Sequence, residues 1–401
     1  MVQQVMPSSP SWTLLHWQEQ GQAHSAWWRT DSSMSPPRRV ETADDSLSAD
    51  TAYRKACEGT ALLWRGDFHN ARQLLQALGR RLDKKPKARK PGSAAAQAAA
   101  FPHAFHLYRQ AQAQRARVLS SLMIELDAQW HCALRRAPDW SMACREAWGE
   151  LPAGDVQRVV VPLRELMGAL GAHEWRKKGV ELTLPGIDGM RIHPHYGVFS
   201  PVRGEYLDLV ARAPLPAALR ASDACAWDIG VGTGVLSALL LHRGVHQVVG
   251  TDLSERALDC ARSNLSRLGL SARATLCRAD LFPEGRAALV VCNPPWLPGK
   301  ASSVLEQAVY DEDSRMLRGF LQGLAGHLLP QGEGWLILSD LAEHLQLRSR
   351  EQLLAWIAAA GLRVLGREDI RPRHGKSMDA ADPLHAARGA EVTSLWRLGV
   401  A

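Results

Sequence analysis

Residues 225–234 read Cys225-Ala226-Trp227-Asp228-Ile229-Gly230-Val231-Gly232-Thr233-Gly234, and Val235-Leu236-Ser237-Ala238-Leu239-Leu240-Leu241 follows at once. A short apolar strand thus runs through three alternating glycines into an apolar helix. The glycines allow a tight turn and let a ligand approach the main chain. The helix beyond offers unpaired N–H groups and a positive dipole end to a carboxylate or phosphate. The spacing departs from G-x-G-x-x-G, because Val235 stands where a third glycine would close a nicotinamide-binding fingerprint.

Outward from this turn, strand and helix signals alternate. Gln247–Thr251, Ala272–Cys277, Ala288–Cys292 and Gly334–Leu338 read as strands, and 255–268, 313–329 and 351–360 as helices. Leu362–Leu365 and Val392–Trp396 supply the last two strand candidates. Repeated βα units with short connections predict an α/β fold with a parallel, doubly wound, Rossmann-like sheet.

Three further signals follow in order. Asp252 ends the second strand, 18 residues after Gly234, where a carboxylate can accept hydrogen bonds from two ribose hydroxyls; its competing role is to support a helix start with Ser254. Asp280, in Arg278-Ala279-Asp280-Leu281-Phe282, can accept from an adenine amino group while Leu281 or Phe282 packs near the ring; an aspartate there can equally be a turn residue. The tetrapeptide Asn293-Pro294-Pro295-Trp296 ends the strand Leu289–Cys292. A planar amide or aromatic amine has its nitrogen lone pair delocalised, and two fixed acceptors on its N–H groups raise its nucleophilicity. The Asn293 side-chain oxygen and the Pro294 carbonyl are such acceptors, Pro295 restricts the Pro294 backbone, and Trp296 offers a stacking face. Such catalysis is alignment and polarisation without a strong base.

Taken in order, Asp228–Gly234, Asp252, Asp280 and NPPW resemble a class I S-adenosylmethionine (AdoMet)-dependent methyltransferase. More narrowly they resemble the small-domain N-methyltransferases, which include release-factor glutamine methyltransferases and nucleic-acid base-amino methyltransferases. The usual tetrapeptide there is NPPY or NPPF, and Trp296 keeps the aromatic face. The resemblance implies that AdoMet lies along Asp228, Gly230, Gly232 and Gly234, with its ribose at Asp252 and Leu253 and its adenine near Asp280 and Leu281. It also implies that Asn293, Pro294, Pro295 and Trp296 form the catalytic set, with Asn293 beside the cofactor. Upstream, Gly197-Val198-Phe199-Ser200-Pro201-Val202-Arg203-Gly204-Glu205 resembles the segment that leads into the catalytic domain of glutamine methyltransferases, so Pro201 and Arg203 are carried over as site-closing residues.

The first half of the chain carries weaker signals. Residues 1–50 are polar and read as a partly disordered leader; 51–195 read as a mainly helical domain, with a basic, alanine-rich linker at 84–100; 196–401 form the methyltransferase domain. Within the middle segment, 51–82, 105–127 and 156–170 have helical spacing, with Asp155 as a cap for the last. Val180, Leu182 and Leu184 alternate as a strand before the turn at 186–189.

The net charge is +7, and the basic segment 80–90 could contact phosphates. These tilt the acceptor slightly toward RNA, a base amino group of rRNA or tRNA, whereas the 197–205 segment tilts toward a protein glutamine. A catalytically inactive AdoMet- or RNA-binding protein is the alternative of another class. Seven cysteines without a C-x-x-C pair fit a reducing cytoplasm and not a disulfide or zinc framework. The pair His193 and His195 is too small a ligand set for a metal, no run of about 18 apolar residues suggests a membrane span, and 371–382 reads as a polar lid segment.

Overall fold

The computed structural model describes residues 12–32, 34–83, 101–201, 204–221, 224–372, 382 and 384–401. The chain divides into two units: Met1–Pro91 with Arg109–His173, and Gly92–Tyr108 with Glu174–Ala401.

The first unit is built on a six-stranded mixed sheet, in the order β1-β2-β6-β5-β4-β3. Its strands are β1 (Thr13–Glu19), β2 (Gln22–Trp28), β3 (Arg39–Ala43), β4 (Thr60–Trp64), β5 (Leu122–Asp127) and β6 (Arg158–Pro162). This corrects two expectations. The stretch read as a polar leader supplies three strands, because Leu15 and Trp17 alternate with the exposed His16 and Gln18 and pack with Ala26, Trp28, Leu63, Met123 and Val160. Average composition concealed that period of two.

The segment read as mainly helical is an α/β unit. In β4 all five residues are buried, and a fully buried strand has no polar alternation to separate it from a helix. The run 118–123 likewise contains the end of one helix and the start of β5, and 156–170 contains β6 before the helix Leu163–Lys178, so Asp155 caps no helix.

The second unit begins with the hairpin β7 (Val180–Leu184) and β8 (Ile187–Ile192). Its main sheet comprises β9 (Cys225–Ile229), β10 (Gln247–Asp252), β11 (Ala274–Arg278), β12 (Ala287–Cys292), β15 (Leu328–Ser339), β16 (Leu362–Ile370) and β17 (Thr393–Val400), with β13 (Leu297–Pro298) and β14 (Tyr310–Asp311) forming a small separate pair. The order is β11-β10-β9-β12-β15-β17-β16; the first five strands are parallel and β17 runs antiparallel to both its neighbours.

Both faces of this sheet are covered. Ala226, Leu289 and Val291 belong to one core cluster, and Trp227, Ile229, Val290 and Cys292 to the other. That explains the near-continuous apolar strands. The chain reverses direction of travel between β9 and β12, and the crevice outside the carboxyl ends of the strands at such a switch point is where ligands bind in open α/β sheets.

Candidate active site

Strand register brings the motifs together. Ile229 of β9 lies opposite Cys292 of β12 on one side and Thr251 of β10 on the other. Gly230, Asn293 and Asp252 therefore leave three adjacent strand ends, with neighbouring strands about 4.8 Å apart. The glycine turn folds onto the end of β10. Gly230 and Val231 donate their N–H groups to the Thr251 carbonyl at 2.9 and 2.8 Å, and Gly232 N–H donates to Asp252 Oδ2 at 3.2 Å. Gly230 has φ +75°, and a Cβ there would stand 2.7 Å from Met316 Cε; a Cβ on Gly234 would stand 3.1 Å from Ala261. Among the described residues a Cβ on Gly232 would meet only the Gly230 carbonyl oxygen, at 3.8 Å, so this part of the turn is less crowded than at Gly230 or Gly234.

Asp228 lies beneath this turn, 1% exposed. Its Oδ2 accepts from Ser237 N–H at 2.9 Å and Ser237 Oγ at 2.6 Å, tying β9 to the helix Val235–His242. Its Oδ1 is buried with no hydrogen-bond partner among the described residues. Burial pushes its pKa up to about 7, against the pull of the Ser237 bonds.

Asp252 is half-buried. Besides Gly232, it accepts from Ser254 N–H at 2.9 Å, and burial raises its pKa while these backbone bonds lower it. Ser254 itself caps the helix Glu255–Arg267. Leu253 beside it is 43% exposed, an apolar surface at the mouth of the crevice. Asp280 is held differently: its Oδ2 accepts from Arg315 at 2.5 Å in a well-exposed ion pair. Leu281 follows with φ +74°, and its carbonyl accepts from Thr251 Oγ1 at 2.5 Å.

At the end of β12, Pro294 is buried and Asn293, Pro295 and Trp296 are half-buried. Trp296 Nε1 donates to Asn293 Oδ1 at 2.9 Å, and its ring packs against both core clusters. Stacking on an open Trp296 face was the expectation; packing takes up part of that surface.

Several residues of the site carry no motif. Asp311, paired in β14 with β13 directly after NPPW, accepts the N–H groups of Met316 and Leu317 at 3.0 and 3.1 Å. It thereby starts the helix Arg315–His327 so that Met316 reaches Gly230 and Arg315 reaches Asp280. Asn264 donates to the Thr233 carbonyl at 3.0 Å and accepts from His193 N–H at 2.8 Å, joining the glycine turn to the segment that precedes the domain. A buried asparagine inside a helix, where its side chain competes with the backbone, was the available signal. His193 Nδ1 donates to the Arg176 carbonyl at 2.6 Å, and no cluster of three metal-ligating side chains occurs among the described residues. Pro201 is buried, while Arg203, residues 84–90 of the basic segment, the linker 84–100 and 373–381 of the expected lid lie outside the described residues.

A model of the family "Methyltransferase small domain" matches residues 189–340. This stretch contains β9 to β12, the glycine turn and NPPW. Residues 189–340 are thus similar to a methyltransferase small domain. The chain is 38% identical over 106 residues to the release factor glutamine methyltransferase of Caulobacter vibrioides, covering 25% of this chain and 36% of that protein. It is 36% identical over 115 residues to the release factor glutamine methyltransferase of Moorella thermoacetica, covering 27% and 41%. It is 33% identical over 117 residues to the ribosomal protein uL3 glutamine methyltransferase of Bordetella pertussis, covering 28% and 39%. The chain thus spans only about two fifths of these relatives. A methyltransferase from Pyrococcus furiosus aligns in structure at a TM-score of 0.38 and 17% identity, covering 59% of this chain and 98% of that one.

Proposed function

We propose that this chain is an AdoMet-dependent N-methyltransferase that methylates a planar nitrogen, the side-chain amide of a protein glutamine. The observation that carries the reading is the register of Ile229 with Cys292, which sets Asn293 beside the glycine turn. AdoMet, when bound, supplies an electrophilic methyl group on a sulfonium. The residues present fit it: the turn is least crowded at Gly232, the buried Asp228 Oδ1 lacks a partner among the described residues, and Leu253 offers apolar surface next to the Asp252 carboxylate.

The chain's own part is to bind and align. Gly230, Gly232 and Gly234 line the cradle with Asp228 beneath it; Asp252 and Leu253 take the ribose side; Asp280 and Leu281 take the adenine side. Asn293 Oδ1 and the Pro294 carbonyl accept the two N–H groups of the acceptor, with Pro295 and Trp296 fixing that loop. Holding the nitrogen in line converts a bimolecular encounter into an oriented one, which lowers the entropic part of the barrier.

The choice of glutamine over an RNA base departs from the lean that net charge suggests. Two of the relatives are named for release factors and one for ribosomal protein uL3. The described part of the basic segment also gives RNA little support, since Arg81 is paired with Asp50 at 2.7 Å. The test is transfer of tritium from AdoMet to a cell extract by the purified protein, followed by nuclease or protease. The expected label is protease-sensitive, ribonuclease-resistant and recovered as N5-methylglutamine; label removed by ribonuclease would overturn the choice of acceptor.

A further inference from the structure

The Asn293 carboxamide is useful in only one orientation, because its oxygen accepts an N–H and its NH2 group does not. The torsion that exchanges the two is broad and nearly two-fold, so something must fix it. The indole N–H of Trp296 is a donor and nothing else. Placed 2.9 Å from Asn293 Oδ1, it selects the orientation with the oxygen toward the indole. An amide oxygen has two lone pairs, so one remains for an incoming N–H. The indole is also anchored, since its ring packs against the core clusters on both faces of the sheet. The two intervening prolines have fixed φ, which returns the chain from Asn293 to Trp296 with little freedom.

Given the reading that Asn293 receives the acceptor amide, we propose that Trp296 is a positioning residue that locks the Asn293 carboxamide through its indole N–H. A phenylalanine at this position would keep the ring and lose the donor.

Trp296→Phe tests this in the full chain. Loss of one oriented hydrogen bond should lower kcat about fivefold to tenfold, with AdoMet affinity and Tm unchanged. In an Asn293→Ala background, Trp296→Phe should lower kcat no further, since the indole acts only through that side chain. Independently of turnover, the 15N-indole resonance lost in Trp296→Phe should shift when Asn293 becomes alanine. An active wild type with an equally active Trp296→Phe variant overturns the inference alone. A wild type that methylates no peptide amide overturns the acceptor reading and the positioning role with it. An indole resonance indifferent to Asn293→Ala overturns the hydrogen bond itself, even if Trp296→Phe proves unstable.

Discussion

The two units treat several carboxylates near their strand ends in opposite ways, Asp280 with its Arg315 partner being an exception in the second. In the first, Glu19 at the end of β1 accepts from the Arg65 guanidinium at 2.6 Å, and this bond holds its pKa below the usual range. Asp67 just beyond β4 is likewise lowered, chiefly by the Arg136 side chain at 2.6 Å. In the second unit Asp228 and Asp252, at the ends of β9 and β10, and Asp311, on the short β14, accept, among the described residues, only backbone N–H groups and the Ser237 hydroxyl. All three are raised, with burial as the largest cause. Charge paired within the protein stabilises it; charge held by neutral donors in a crevice leaves the negative potential to a cationic ligand. The contrast is not absolute. Glu165, in the first unit, is raised to about 7 by burial and by Asp31, while accepting from Thr30 Oγ1 and Asp31 N–H at 2.7 Å each.

The largest effect expected on the second unit's side of this contrast is that of Asn293→Ala. Turnover should fall by at least about a hundredfold, the loss seen when one oriented transition-state contact is removed, while AdoMet affinity by calorimetry stays within a few-fold. Equal loss of cofactor binding would place Asn293 among the cofactor ligands instead. Next is Gly230→Ala. The positive φ and the 2.7 Å approach to Met316 Cε both oppose a methyl group. A stability loss of about 1–2 kcal/mol in urea titration should accompany a loss of AdoMet binding.

Asp252→Ala should weaken AdoMet about tenfold or more, the scale of a charge-assisted hydrogen bond, with kcat at saturating cofactor largely kept. A fall in kcat alone would remove the ribose role. Asp228 sharpens the comparison through pH. Its carboxyl has a higher pKa folded than unfolded, so the folded state takes up the proton more readily. The resulting stability is full below about 4, the ordinary aspartate range, and is lost as pH rises through about 7. Asp228→Asn should therefore flatten the decline of Tm between those values; an unchanged slope would assign the decline to other groups, Glu165 first. The smallest effect is on Asp280→Ala. Its exposed pair with Arg315 contributes about 0–1 kcal/mol at most, so Tm should hardly move, and a few-fold loss of AdoMet affinity would be the mark of an adenine contact.

Amino-acid order alone determined the second unit's α/β alternation and set its glycine turn, Asp252 and NPPW at strand ends. Cys225–Ile229 is a strand as its apolar run indicates, and the helices after Gly234 and Ser254 begin where a positive-φ glycine and a hydroxyl cap end the preceding backbone. Such signals are local, carried by period and by capping, and survive without neighbours. Tertiary structure alone decided the rest. Strands β1, β4 and β5 became visible only as members of a sheet, because burial on both faces or a polar average erased their period. The same holds for Asp311, Asn264 and the indole of Trp296: each acts on a residue brought near by folding or turned toward it by the loop, and one-dimensional spacing does not encode the direction in which a side chain points.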